Sequence, residues 1–169
     1  MKKKGILLIF FVIFVLTIIY WFSFRKSGDE TTLPKAPSLT EIQLKPFQST
    51  ASDFAVQIPI DYSVTEKWVT TEFTSGKGLI QMGRNANDSN SLREYLQDAD
   101  EKNKTEIISD KEELMVNNYP AATRVELRGT VYAKFYYIYV DDWVYVFSTE
   151  SESLYSDLDQ IAKSFRYTP

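Results

Sequence analysis

The sequence predicts an α+β protein: a mostly antiparallel sheet flanked by helices, an α/β/α sandwich, preceded by one transmembrane helix. Three observations carry that expectation. Gly5 to Phe24 is an uncharged apolar run standing directly behind Lys2, Lys3 and Lys4. Apolar and polar residues then alternate in several stretches between Phe54 and Thr149, the two-residue period of a strand. Two segments, beginning at Ser91 and Leu154, switch to the three- and four-residue spacing of an amphipathic helix.

Twenty helical residues at about 1.5 Å rise match the thickness of a bilayer's hydrocarbon core, where a backbone must close its hydrogen bonds internally. Residues 5–24 are therefore expected to be a retained signal anchor. A cleaved signal peptide, with secretion of the rest, is the alternative; it would have a shorter apolar core and small residues at its cut site. Here the run ends in Tyr20, Trp21, Phe22 and Phe24, bulky side chains of the kind that mark a membrane interface. The absence of Cys excludes a lipoprotein anchor. The positive-inside bias places residues 1–4 in the cytoplasm and the long C-terminal part outside, a single-pass arrangement in the cell membrane. Residues 25–47, with Pro34, Pro37 and Pro46 among Ser, Thr and charges, read as a linker reaching roughly 25–30 Å as a flexible coil. Ile42, Leu44 and Phe47 suggest that its end pairs with the domain.

Residues 48–169 read as one extracytoplasmic domain. Phe54, Val56 and Ile58 form a half-buried strand, stopped by Pro59 and therefore placed near an edge. Residues 64–73 read as one strand, turned at Ser75–Gly78 into a returning strand over Leu79–Arg84. Ser91-Leu92-Arg93-Glu94 has the form of a capping box, followed by Tyr95, Leu96 and Ala99 on one helical face. Thr105–Ser109 and Glu113–Asn117 read as two strands around a charged turn at Asp110-Lys111-Glu112, with Tyr119-Pro120 breaking the run. Ala121, Thr123, Val125 and Leu127 then share one face, with Arg124, Glu126 and Arg128 on the other. Val131–Val140 and Trp143–Thr149, joined at Asp141-Asp142, make the strongest hairpin and the expected centre of the sheet. Leu154, Leu158, Ile161, Ala162 and Phe165 mark a closing helix.

Charge and composition narrow the function classes. Residues 1–47 carry seven Lys/Arg against three Asp/Glu, net +4, and residues 48–169 carry twelve against twenty, net −8. An acidic outer domain argues against a nucleic-acid partner, since phosphate binding needs clustered cations. With no Cys and no His, thiol and imidazole catalysis, disulfides and nitrogen- or sulfur-ligated zinc are all impossible. Asp98, Asp100 and Glu101, like Asp157 and Asp159, lie on expected helices and read as solvated faces, while Asp141-Asp142 reads as turn chemistry. Asn87-Asp88-Ser89 and Asn103-Lys104-Thr105 match the glycosylation sequon, a three-residue pattern that chance supplies often.

The element order and several short signatures resemble the Mog1/PsbP-like group over about residues 48–167: FAVQIPIDYSV, SLREYL, NNYPAATRVEL, the tyrosine-rich hairpin and the closing IAKSF. Members of that group often have Gly before the Pro-Ala, where this chain has Tyr119. The resemblance implies an antiparallel sheet sandwiched by helices, no general enzymatic activity, and binding or support of other proteins; it carries no metal site or cofactor onto named residues.

The expected function is accordingly a non-catalytic binding or assembly-support domain tethered through residues 5–24, with a protein partner. A carrier of a small apolar ligand between sheet and helix is the alternative, which a pocket lined by Tyr and apolar residues would favour. A carboxylate hydrolase is third and would need two acids facing across a cleft. Along the central hairpin, Lys134 marks its face as the wetter one, so Tyr132, Lys134 and Tyr136 are the expected partner surface, with Phe135 in the core and Tyr136 more expendable. No cofactor is expected. The unfolding midpoint of residues 48–169 should therefore be the same in a chelator or a reductant as without, which calorimetry with and without EDTA checks.

Overall fold

The computed structural model describes residues 43–169, with every side chain in them except those of 111–113. The anchor expected at 5–24 and most of the linker fall outside the described residues. Among the described residues no helix is long and apolar enough to cross a membrane.

Among the described residues, ten strands and two helices follow one another. β1 is Leu44–Ser49, β2 Phe54–Pro59, β3 Ser63–Glu66, β4 Thr70–Ser75 and β5 Gly78–Ala86. Helix α1, Leu92–Asn103, is followed by β6 Glu106–Val116, β7 Tyr119–Arg128, β8 Val131–Val140 and β9 Trp143–Thr149. A short 3₁₀ turn, Glu152–Leu154, leads into α2, Tyr155–Lys163, and β10 is Arg166–Tyr167. The strands form two sheets, a seven-stranded one in the order β3-β4-β5-β9-β8-β7-β6 and a three-stranded one in the order β1-β2-β10. The pairings between neighbours are antiparallel.

The large sheet is the middle layer. On one face α1 sets Leu92 and Leu96 against Ala122, Phe135, Tyr137 and Val144. On the other, α2 and the small sheet close a larger core. Phe54, Val56 and Ile58 of β2 and Leu158, Ile161 and Ala162 of α2 meet Ile80, Met82, Tyr136, Ile138, Tyr145 and Phe147. The layer expected to be helix alone is thus a helix beside a small sheet. β2 is correspondingly the centre of that sheet rather than an edge, because Pro59, its last residue, ends the strand without interrupting the ladder. The end of the tether joins it as β1, with Phe47 opposite Val56.

Three local expectations change for identifiable reasons. Residues 64–73 fold back at Lys67-Trp68-Val69 to make β3 and β4. In a single strand Val64 and Phe73, an odd number apart, would face opposite ways, whereas the hairpin pairs them across the ladder and both join the core. Asp110-Lys111-Glu112 is not a turn; β6 runs straight through it and absorbs the misfit in register shifts between Ile107/Ser109 and Lys111/Leu114. The reversal after β6 comes at Asn117-Asn118, with φ of 47° and 72°, the left-handed region that Asn tolerates. Tyr119 and Pro120 instead begin β7, so a bulky Tyr where a Gly is common costs nothing in backbone strain. At Gly78 φ is +137°, and a Cβ there would meet Leu154 Cδ1 at 3.3 Å.

The two faces of β8 are both core. Phe135 is 6% exposed and Tyr136 only 2%, so the expected difference between them is overturned by α2 lying over Tyr136. Phe135→Ala and Tyr136→Ala should each cost about 3–5 kcal/mol in denaturant unfolding. Buried phenols add a pH dependence. Burial raises the pKa of Tyr62, Tyr136 and Tyr145 above the ordinary tyrosine value of about 10. With the folded pKa raised, their contribution is complete below the unfolded-state value and is lost as the unfolded chain ionises first. Stability should be flat up to about pH 9 and fall steeply above about 10, with phenolate absorbance appearing together with unfolding.

Candidate functional site

The helix α1 begins where the sequence places it. Ser91 is the N-cap, its Oγ accepting from Glu94 N at 3.2 Å. The reciprocal bond is displaced by one residue, since the Glu94 carboxylate accepts from Asn90 N at 2.8 Å. These bonds fix the helix start over the sheet and aim Leu92 and Leu96 downward. Beneath them β7 presents Pro120 and Ala122, side chains too short to fill the space, while Ala121 between them turns its side chain to the opposite core. Tyr139 of β8 stands as a wall, its hydroxyl donating to Ser89 O at 3.1 Å. The result is a groove of about 360 Å³ with a mostly apolar lining, Asn90, Ser91 and Arg93 standing at the helix start, and open past Met115 on the edge strand β6. Met115 is 63% exposed, so the mouth of the groove is itself apolar. This is the site that sequence reasoning missed. Its one legible signal is Pro120 and Ala122, two short side chains on the same strand face as Arg124 and Glu126.

Two of the three polar residues on the same face of β7 are not at the surface. Arg124 and Glu126, read from the sequence as the face opposite the apolar one, are 3% and 2% exposed. Arg124 binds Asp100 of α1 through Nη1 at 2.8 Å and Asp110 of β6 through Nε at 3.1 Å, tying the helix and the edge strand to the sheet. Tyr137 donates to Glu126 Oε1 at 2.7 Å, and Arg128 donates to Oε2. Burial, then the bond and charge of Glu126, hold the Tyr137 phenol protonated well beyond its ordinary range. Asp100 and Asp110 both sit on one guanidinium, an ion-paired arrangement rather than two acids facing across a cleft.

Of the expected partner surface only Tyr132 is exposed, at 55%. Lys134 reaches Asp159 of α2 at 2.7 Å and lies 5.4 Å over the Tyr155 ring, so it is a clasp between sheet and helix rather than a mark of a wet face. Tyr136 is sealed beneath α2, so the three residues form no continuous surface. The helix acids are likewise engaged rather than merely solvated: Asp157 accepts from Tyr62 Oη at 2.7 Å and from Lys77 Nζ at 3.0 Å, and Asp100 holds Arg124. Among the described residues no three acidic side chains gather as a metal site would require. Asn87 is 6% exposed and spends its amide on Ser89. Trp143 packs at the margin of the core, under the Arg84 guanidinium at 4.3 Å.

No family model matches the chain, and neither does any curated protein. Among solved structures it is similar to the solution structure of cyanobacterial PsbP (CyanoP) from Synechocystis sp. PCC 6803, at 11% identity and a TM-score of 0.53, over 80% of this chain and 99% of that one. A crystal structure from Bacteroides thetaiotaomicron VPI-5482 matches more loosely, at 10% identity and a TM-score of 0.48, over 74% of this chain and 48% of that one. The match to CyanoP covers nearly the whole of that protein, and the domain described here therefore has the PsbP-like fold.

Proposed function

We propose that this chain is a non-catalytic binding protein, anchored in the cell membrane through residues 5–24, whose outer domain takes an apolar side chain or short apolar segment of a partner protein into the groove between α1 and the β6–β8 edge. The groove itself carries this reading. It is concave, lined by Leu92, Leu96, Pro120, Ala122 and Tyr139, and continued by the exposed Met115. A helix laid over short strand residues leaves such a gap only at some cost, because buried voids forfeit dispersion contacts. An occupant would restore them. The absence of Cys and His from the chain, and carboxylates that are held by Arg124, Lys77 and Lys134, support binding over catalysis.

A small apolar ligand is the second reading. The volume of about 360 Å³ favours it, lying at the lower end of the roughly 300–1,000 Å³ that ligand pockets span.

Two probes separate these readings. A photo-reactive benzoylphenylalanine placed at Met115 in the native membrane should give one discrete protein adduct, absent when Pro120→Glu puts a charge in the groove. The neutral dye N-phenyl-1-naphthylamine, titrated onto residues 43–169, reports the ligand reading by a saturable fluorescence rise that Met115→Glu weakens. Met115 and Pro120 are exposed, so both changes should leave stability within about 0.5 kcal/mol. No discrete adduct and no saturable dye signal would together remove the groove as a binding place.

A further inference from the structure

Arg128 ends β7 on the face that α1 covers, but the space in front of it is lined by no α1 residue. Its guanidinium lies 4.2 Å over the Phe135 ring, so one of its flat faces is fixed. One of its edges is fixed too, with Nε and Nη2 donating to Glu126 Oε2 at 3.2 and 3.0 Å. Glu126 cannot shift, because it is 2% exposed and its other oxygen is held by the Tyr137 hydroxyl. The Arg128 side chain nevertheless stays 58% exposed, and among the described residues no acceptor is recorded for Nη1. A surface arginine ordinarily gives up much rotamer freedom when it binds; here stacking and pairing have removed that freedom beforehand. Facing it is a hollow of about 430 Å³ whose walls mix Leu79, Ala133 and Phe135 with Gln81 and Ser148.

We infer that this hollow binds a small monocarboxylate carrying an apolar group, the carboxylate on the outward edge of Arg128 and the apolar group against Leu79, Ala133 and Phe135. A guanidinium edge matches a carboxylate in geometry, with two parallel donors to two oxygens. The charge balance sets the limit of one negative charge. Glu126 already offsets part of the cation, Glu150 stands on the rim of the hollow, and residues 48–169 carry a net charge of −8, so a dianion such as phosphate is repelled. The hollow is separate from the α1 groove, sharing no lining residue with it, and its ligand does not depend on what the groove holds.

The test is a ¹H–¹⁵N NMR titration of residues 43–169, which lie within one compact unit, with Nα-acetylleucine, its amide Nα-acetylleucinamide, and inorganic phosphate. Nα-acetylleucine should shift the Arg128 Nε–H and the Gln81 and Ser148 backbone amides saturably, while the amide and phosphate should not. Arg128→Gln should weaken the acid at least about tenfold, and Arg128→Lys should weaken it too, because a point charge replaces the stacked fork. Met115→Glu, in the groove, should leave it unchanged. Equal shifts from acid and amide, unaltered binding by Arg128→Gln, binding of phosphate as tight as that of the acid, or no saturable shift at all would each overturn the inference.

Discussion

The contact on which the rest of this domain depends is the aromatic cluster that joins its two sheets. Phe165, just past α2, lies 4.8 Å from the Tyr145 ring, 6.1 Å from Phe147 and stacked at 6.1 Å on Phe54. Phe54 belongs to the small sheet, Tyr145 and Phe147 to the large one. One buried ring therefore holds β2, β9 and the end of α2 in register, and the Tyr145 hydroxyl adds a bond to Ser52 O at 3.0 Å. Neither sheet could close this face alone, because β10 is only two residues long and β2 buries its inner side chains only against the other sheet and α2.

On the opposite face the economy is different. Helix α1 is twelve residues long and buries two leucines, too little to cover four or more strands. Part of that face is closed instead by ionic and hydrogen-bonded groups, with Arg124 gripping Asp100 and Asp110 and Glu126 gripping Tyr137 and Arg128. Buried charge of this kind is tolerable only when each partner is satisfied, and it fixes geometry more than it adds stability. The incomplete cover also explains why the groove at Met115 and the hollow at Arg128 both open on this side: the groove runs beside the first turns of the helix, and the hollow is lined by none of its residues.

Much of the local structure is legible in the sequence because it is set by near neighbours. Ser91 and Glu94 announce the start of α1, Ser75–Gly78 the reversal between β4 and β5, and the alternation through Val131–Thr149 the central hairpin. The misread pieces are those where a distant partner outvotes a local signal. Charges at 110–112 suggest a turn, yet β7 offers Asp110 a ladder and an arginine, and the strand continues. Lys134 suggests a wet face, yet Asp159 and Tyr155 on a helix far along the chain absorb it. Arg124 and Glu126 look like a surface because charge usually is one, and only the strand pairing supplies the acids and the phenol that let them be buried.

What the sequence determined alone is the α+β class, the α1 cap, the alternating faces of β7, β8 and β9, and the exclusion of thiol and imidazole chemistry, since these follow from residue type and short-range period. What only the tertiary structure decided is which faces are covered and by what. The division into two sheets, the burial of Tyr136, the groove over Pro120–Ala122 and the fixed guanidinium of Arg128 all depend on contacts between residues far apart in the chain. Period tells which side chains share a face, but coverage is a property of the layers that meet there, and no local pattern encodes it.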